Sequence, residues 1–181
     1  ISSLFSFCGL MALSVSSGLA VWGAFLLYAV GQTFYWPTVL GFIAERFPKG
    51  GALTLNSATA IGLLAVGIIG TPILGVFNDS HTVSNVKSVS EEIHIAAKSD
   101  ASFFGASYES IDRAKATVLA AEQGLTDDLQ DAMNEASRQS LRTTAISFPL
   151  VMLIAFGFIA LYYRKMGGYH PIELQRASSN S

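Results

Sequence analysis

Charge is what this chain has least of: 13% of its 181 residues are Asp, Glu, Lys or Arg, against roughly 25% in an ordinary soluble domain. A soluble enzyme is therefore a poor fit. There is no basic surplus either, because eleven Lys and Arg stand against thirteen Asp and Glu, and so no nucleic-acid partner is expected. Cys8 is the single cysteine, which excludes an internal disulfide and a thiolate metal cluster. His81, His94 and His170 lack metal-ligand spacing and read as surface histidines. No phosphate loop, His-Glu-x-x-His or nucleophile elbow is present. Glu91 and Glu92 are adjacent, so on a helix they do not share a face and read as a solvated pair. Neither catalysis nor a cofactor or metal is expected.

What the chain does have is apolar length. Hydrophobic residues make up 51% of it, and residues 1–44, 50–78 and 143–163 contain no charged side chain, while residues 79–142 hold seventeen of the twenty-four charges. A bilayer core about 30 Å thick takes roughly 20 apolar residues per helical crossing. The pattern predicts an all-α, polytopic helical membrane protein with one extramembrane insert. Spans are expected near 2–15, 19–44, 53–77 and 143–163, with Ser16, Ser17 and Gly18 as the reversal between the first two. The first span is short, and the chain opens on Ile1 with no basic region ahead of it, unlike a signal peptide. The start reads as the middle of a longer protein.

Orientation follows from where Lys and Arg lie in short loops. Arg46 and Lys49 follow the second span, and Arg164, Lys165 and Arg176 follow the fourth; with Glu45 and Glu173 these segments carry a net charge of +3. The insert has six basic residues against eleven acids, a net of −5. The expectation is an external insert at 79–142 and a cytoplasmic tail at 164–181, in a bacterial inner membrane. Within the insert, Ile111, Ala114, Val118 and Leu125 recur at helical spacing with Gly124 as a stop. Thr126 is then an N-cap for a second helix whose stripe is Leu129, Met133 and Ala136 and which runs into the last span. Residues 80–107 read as loop with a short helix around 91–97. The insert is either a solvated cap or a partner-binding element.

Polar residues inside the spans carry most of the functional information, because hydrocarbon cannot satisfy them. Tyr28, Gln32 and Tyr35 fall at i, i+4 and i+7 of the second span with Trp36 beside them. They either line a wet cavity or, in Gln32's case, bond to a neighbouring helix while the aromatics pack. Asn56, Ser57 and Thr59 open the third span, where capping and substrate roles compete. Gly67, Thr71 and Gly75, spaced by four, make a flat face for helix packing, and Pro37 and Pro72 interrupt the helical hydrogen-bond ladders. These are static packing features or the hinges of a transport cycle.

The segment Gly31-Gln-Thr-Phe-Tyr-Trp-Pro-Thr-Val-Leu-Gly-Phe-Ile-Ala-Glu-Arg-Phe-Pro-Lys-Gly-Gly-Ala52 resembles the tenth helix and following cytoplasmic loop of major facilitator superfamily transporters. Gly70-Thr-Pro-Ile-Leu-Gly-Val-Phe-Asn-Asp79 resembles the external end of their eleventh helix. Tyr162-Tyr-Arg-Lys-Met-Gly-Gly-Tyr169 is similar to the end of the twelfth in a bacterial branch with a long preceding insert. The resemblance implies the last four helices of the C-terminal six-helix half of that fold, moving a small organic solute by alternating access. It implies three partners: the small-molecule substrate, the lipid bilayer and the missing N-terminal part of the same transporter. Substrate-facing residues would be Tyr28, Gln32, Tyr35 and Trp36, with Asn56 and Thr59 as contributors. The family's proton-coupling acids have no counterpart, since these spans contain no Asp or Glu. The rival readings are a small four-span structural or receptor subunit and a membrane enzyme with a catalytic insert.

Overall fold

The computed structural model describes residues 1–168, and they are mostly helical. Helix α1 (Ser2–Val15) and helix α2 (Ala20–Arg46) are joined at Ser16 to Leu19, where Gly18 has φ +58°. A short 3-10 turn, Pro48–Gly50, leads into α3 (Gly51–Ala65), and a π-helical turn at Val66–Gly70 passes it to α4 (Thr71–Val89). Then come α5 (Glu91–Ala97), a hairpin of β1 (Lys98–Phe103) and β2 (Ala106–Ile111), and α6 (Arg113–Gln123). The chain ends in α7 (Thr126–Ala145), a second π-helical turn at Ile146–Leu150, and α8 (Val151–Lys165). Tyr169, His170, Glu173 and Arg176 of the expected tail lie outside the described residues.

The two π-turns have a common chemical cause. Proline has no N–H to donate and its ring collides with the carbonyl four residues back, and Pro72 and Pro149 each sit at or just after such a turn. At the first, the ladder widens so that the Thr71 N–H and hydroxyl both donate to the Val66 carbonyl five residues back. The helix continues through each π-turn, so Pro48–Val89 and Thr126–Lys165 form helical runs of 42 and 40 residues, the first opening with the 3-10 turn and Gly51 at φ +49°. Among the described residues these two are long and apolar enough to cross a membrane. In α2, which is 27 residues long, Tyr28, Gln32, Tyr35, Trp36 and Pro37 dilute the apolar character.

Packing separates the molecule into two regions. At one end α4 and α7 run antiparallel, with the Phe77 and Phe148 rings 6.4 Å apart, His81 Nε2 2.9 Å from Thr143 Oγ1, and Asn85 Nδ2 donating to the Ala132 carbonyl at 3.2 Å. Above them α5, the hairpin and α6 form a cap with its own core: Val86, Ile93, Ala97, Ile111, Ala116, Ala120 and Leu129 are buried together. Below, the helices expose large apolar side chains such as Leu53 (78%) and Ile61 (67%).

Three expectations about the insert need correction. Residues 80–107 are not loop: α4 continues to Val89 and is followed by α5 and the hairpin. The apolar residues Val83 and Val86 are too sparse to display a period, yet they are the ones that meet Leu129 and Met133. The hairpin is the one β element among the described residues, which are otherwise helical as the all-α reading expects. On α6 the stripe is rotated: Val118 is 59% exposed, whereas Ala116 and Ala120 are buried, because close packing against α5 and α7 favours the smallest side chains. Finally, Asp112 caps α6 by accepting from the Lys115 N–H, Gly124 ends it in the left-handed region at φ +70°, and Thr126 caps nothing by its side chain; Leu125 holds the cap position of α7. Leu129 and Ala136 are buried and Met133 is half-buried on α7, as the stripe predicts. That helix does run on into the last apolar segment.

Candidate functional site

The polar face of α2 is divided among three neighbours. Its upper part lies against α1, where small residues allow backbone contact: a methyl group on Gly9 would fall 2.5 Å from the Tyr28 nitrogen, and one on Gly31 would fall 2.6 Å from the Ser6 nitrogen. Ser3, Ser6 and Ser14 are buried along this face of α1. Gln32 Nε2 donates to Ser6 Oγ at 3.3 Å. Gln32 therefore ties two helices together, one of the two roles its position allowed. At the C-terminal end of α1, Arg142 Nε donates to Ser14 Oγ at 3.2 Å, linking α7 to the same serine face.

Lower on α2 the aromatics border two grooves. Gln32, Tyr35 and Trp36 line a groove of about 340 Å³ with Gly62, Leu63 and Val66 of the Pro48–Val89 rod. Trp36 lies edge-on to Gly62, where a methyl group would come within 2.8 Å of the indole ring. A second groove of about 390 Å³ has Tyr35, Thr38 and Val39 on one wall and Leu153, Phe156, Gly157 and Ala160 of α8 on the other, with Ile1, Ser2 and Ser3 at its end. Tyr35 is common to both. Apolar walls with a few hydrogen-bonding groups are the usual character of small-molecule sites.

The other candidates fall elsewhere. Tyr28 is half-buried on the α1 side, Asn56 is exposed, and Thr59 donates to the Leu55 carbonyl at 2.9 Å; none of the three lines either groove. Gly67 and Gly75 face open space, and the Thr71 hydroxyl is turned back onto its own helix. Pro37 lies inside α2 without breaking it, while Pro72 adjoins the π-turn. Sequence reasoning missed the α8 wall. Its signal is Leu153, Phe156, Gly157 and Ala160, which recur at helical spacing with two small residues leaving room beside a ring.

In the cap, Glu109 joins α5 to the hairpin. Its carboxylate lies 2.6 Å from His94 Nε2 and 2.9 Å from Lys98 Nζ. Hydrogen bonds from Lys98 and then His94 hold the Glu109 carboxyl below its ordinary range, and the same bond raises Lys98. His94 is 8% exposed, which corrects its reading as a surface residue, and its Nδ1 is buried with no protein partner. Glu91 and Glu92 are solvated as expected, Glu91 pairing with Lys87 at 3.6 Å. Burial pushes the Tyr108 phenol up, aided by its bond to the charged Asp79. No cluster of three His, Cys, Asp or Glu side chains with metal-binding geometry occurs among the described residues. Comparison of the chain with protein-family models, with curated proteins and with solved structures gives no match.

Proposed function

We propose that the chain is a membrane-embedded part of a secondary transporter that moves a small organic solute, with Tyr35 at the centre of the solute path. The observation that carries this reading is the contrast between the two regions. The cap buries its apolar residues in a core of its own, whereas the uncharged helices leave Leu53, Ile61, Leu63 and Leu64 more than half exposed. Such surfaces call for a covering apolar phase, and the bilayer together with the remainder of the transporter would supply it. Between those helices lie grooves that carry a phenol, an amide and an indole, groups able to hydrogen-bond and stack on sugars, nucleosides or amphipathic molecules. The resemblance of residues 31–52 and 70–79 to transporter helices points the same way.

In this reading the cap is external and the loop at Arg46 and Lys49 is cytoplasmic. Alternating access would bring the bilayer, the solute and the remainder of the transporter into contact with α2, α3 and α8. The test is uptake by the full-length protein in proteoliposomes, using radiolabelled sugars, nucleosides and amino acids as a panel. Loss of uptake in Tyr35→Ala at equal folded protein supports the site. The bond from Gln32 to Ser6 favours a second reading, a helical membrane subunit that assembles rather than transports. Absence of uptake across the whole panel, with the protein folded and inserted, would leave that reading in place.

A further inference from the structure

The hairpin turn carries side chains that its backbone does not favour. A two-residue turn with φ positive at both centres takes Asn-Gly or Asp-Gly, yet here it is Phe104 at φ +48° and Gly105 at φ +82°. Phe104 is the one non-glycine residue with positive φ among those described. A bulky side chain in that region is strained, and Phe104 recovers nothing from the cap core because it is 73% exposed. Among the described residues its ring contact is Phe103, with centroids 4.7 Å apart. Residues 101–108 contain no charge, inside an insert that holds seventeen. The tip is thus uncharged, aromatic, strained and bare.

The strand shows where the tip is directed. At its far end Ile111 is buried in the cap core with Val86. One residue before it, Ser110 Oγ donates to Asp79 Oδ2 at 3.1 Å, and the Tyr108 phenol bonds to the same carboxylate. Asp79 stands seven residues below Val86 on α4, about 10 Å along the helix, and it is the first charge after the uncharged run 50–78. From Tyr108 the strand continues four residues to Phe104, about 13 Å at the usual rise. Moving from core to turn, β2 therefore descends toward the apolar rods.

We propose that Phe104, backed by Phe103, is an interfacial anchor that seats in the boundary between headgroups and acyl chains of the leaflet on the cap side. The proposal rests on the membrane reading above. The aromatic ring places an apolar body in the boundary region, and the absence of charge on residues 101–108 removes the desolvation cost of bringing the turn there. The backbone strain at residue 104 is then offset by lipid contact.

The test uses the full chain in phosphatidylcholine nanodiscs on a Cys8→Ser background. A fluorophore is attached at Ser107→Cys beside the tip, at Lys87→Cys high on the cap, or at Leu74→Cys within the apolar rod, and is quenched by phosphatidylcholine bearing a nitroxide just below the headgroup. Quenching at residue 107 is expected to exceed that at residue 87 by about threefold or more, and to fall to the residue 87 level in Phe104→Asn. Asn suits a left-handed turn, so that variant keeps the hairpin while removing the ring. Equal quenching at 107 and 87 with strong quenching at 74 overturns the anchor and leaves the membrane reading intact. Retained quenching in Phe104→Asn overturns the role of the ring. Absence of quenching at 74 overturns the membrane reading and the anchor with it.

Discussion

Gln32 and Tyr35 lie three residues apart on α2, yet their structural settings differ, and single substitutions should separate them. Gln32→Ala removes the bond to Ser6, and interhelical hydrogen bonds in membranes average about 0.6 kcal/mol. A small drop in melting temperature is expected, followed by circular dichroism in detergent. Tyr35 has no such tie and borders both grooves, so Tyr35→Ala should leave melting nearly unchanged and reduce uptake per folded molecule. If Gln32→Ala abolishes uptake with no change in melting, the amide serves the solute rather than the helices. In the cap, Glu109 is held below its ordinary value of 4.5 and Lys98 above its ordinary value of 10.5. A depressed carboxyl contributes stability that is present above its unfolded value and is lost as pH falls through the folded one. A raised amine contributes stability present below 10.5 that is lost as pH rises past its folded value. The protection of the hairpin amides, relative to their intrinsic exchange rates at each pH, should therefore be lowest below about pH 4 and at strongly alkaline pH. Glu109→Gln should flatten the acid side of that profile; an unaltered acid limb would assign the change to other carboxylates.

At the scale of elements, close approach decides which substitutions matter. A side chain at Gly31 meets the Ser6 backbone at 2.6 Å, which no rotamer change relieves, whereas Gly23 has nothing within 4 Å. Gly31→Val is expected to cost about 1–3 kcal/mol by overpacking, with Gly23→Ala near neutral in the same melting assay. Equal effects at the two positions would mean that the α1 and α2 contact is looser than its geometry. Ile93 is 1% exposed in the cap core, so Ile93→Ala should cost about 2–5 kcal/mol and open the cap to limited proteolysis. The element scale also shows what the sequence could and could not reveal. The break between α1 and α2 was legible in Ser16, Ser17 and Gly18, and the end of α2 falls within two residues of the expected bound, where the uncharged run stops at Glu45. The face of α6 was not legible, since alanine occurs on both sides of that helix and burial there follows steric room rather than hydrophobicity. Nor was the pairing of His94 with Glu109, fifteen residues apart, because it exists only once the hairpin brings β2 back beside α5. The groove was half legible. Its α2 wall shows as polar residues in an apolar run, and its α8 wall is apolar on apolar and gives no contrast.

For the whole molecule, the testable quantity is the side of the membrane on which each end lies. On a Cys8→Ser background, Ser88→Cys in the cap should react with an impermeant thiol reagent from outside cells, and Lys49→Cys in the basic loop should react only after permeabilisation. The reverse pattern would invert the orientation and remove the alignment with transporter helices. Deleting residues 80–107, harmless were they loop, takes Val86, Ile93 and Ala97 out of the core and should unfold the cap.

The rod formed by Thr126–Lys165 has one more consequence. At 1.5 Å per residue its 40 residues span about 60 Å, twice the thickness of the hydrocarbon they would cross. Such a helix would work as a push-rod, stiff in compression and held at its cap end, where Leu129 and Ala136 are buried. A tilt imposed on the cap would emerge at Arg164 and Lys165 without any relay of side chains between them. The compliant joint along that path is the wide turn at Ile146–Leu150, where the Phe148 ring meets the tilted ring of Phe77, seven residues beyond the wide turn of the neighbouring rod. If the rod crosses a bilayer, torque applied on one side is spent first at that joint, so its stiffness sets how much motion reaches the other side.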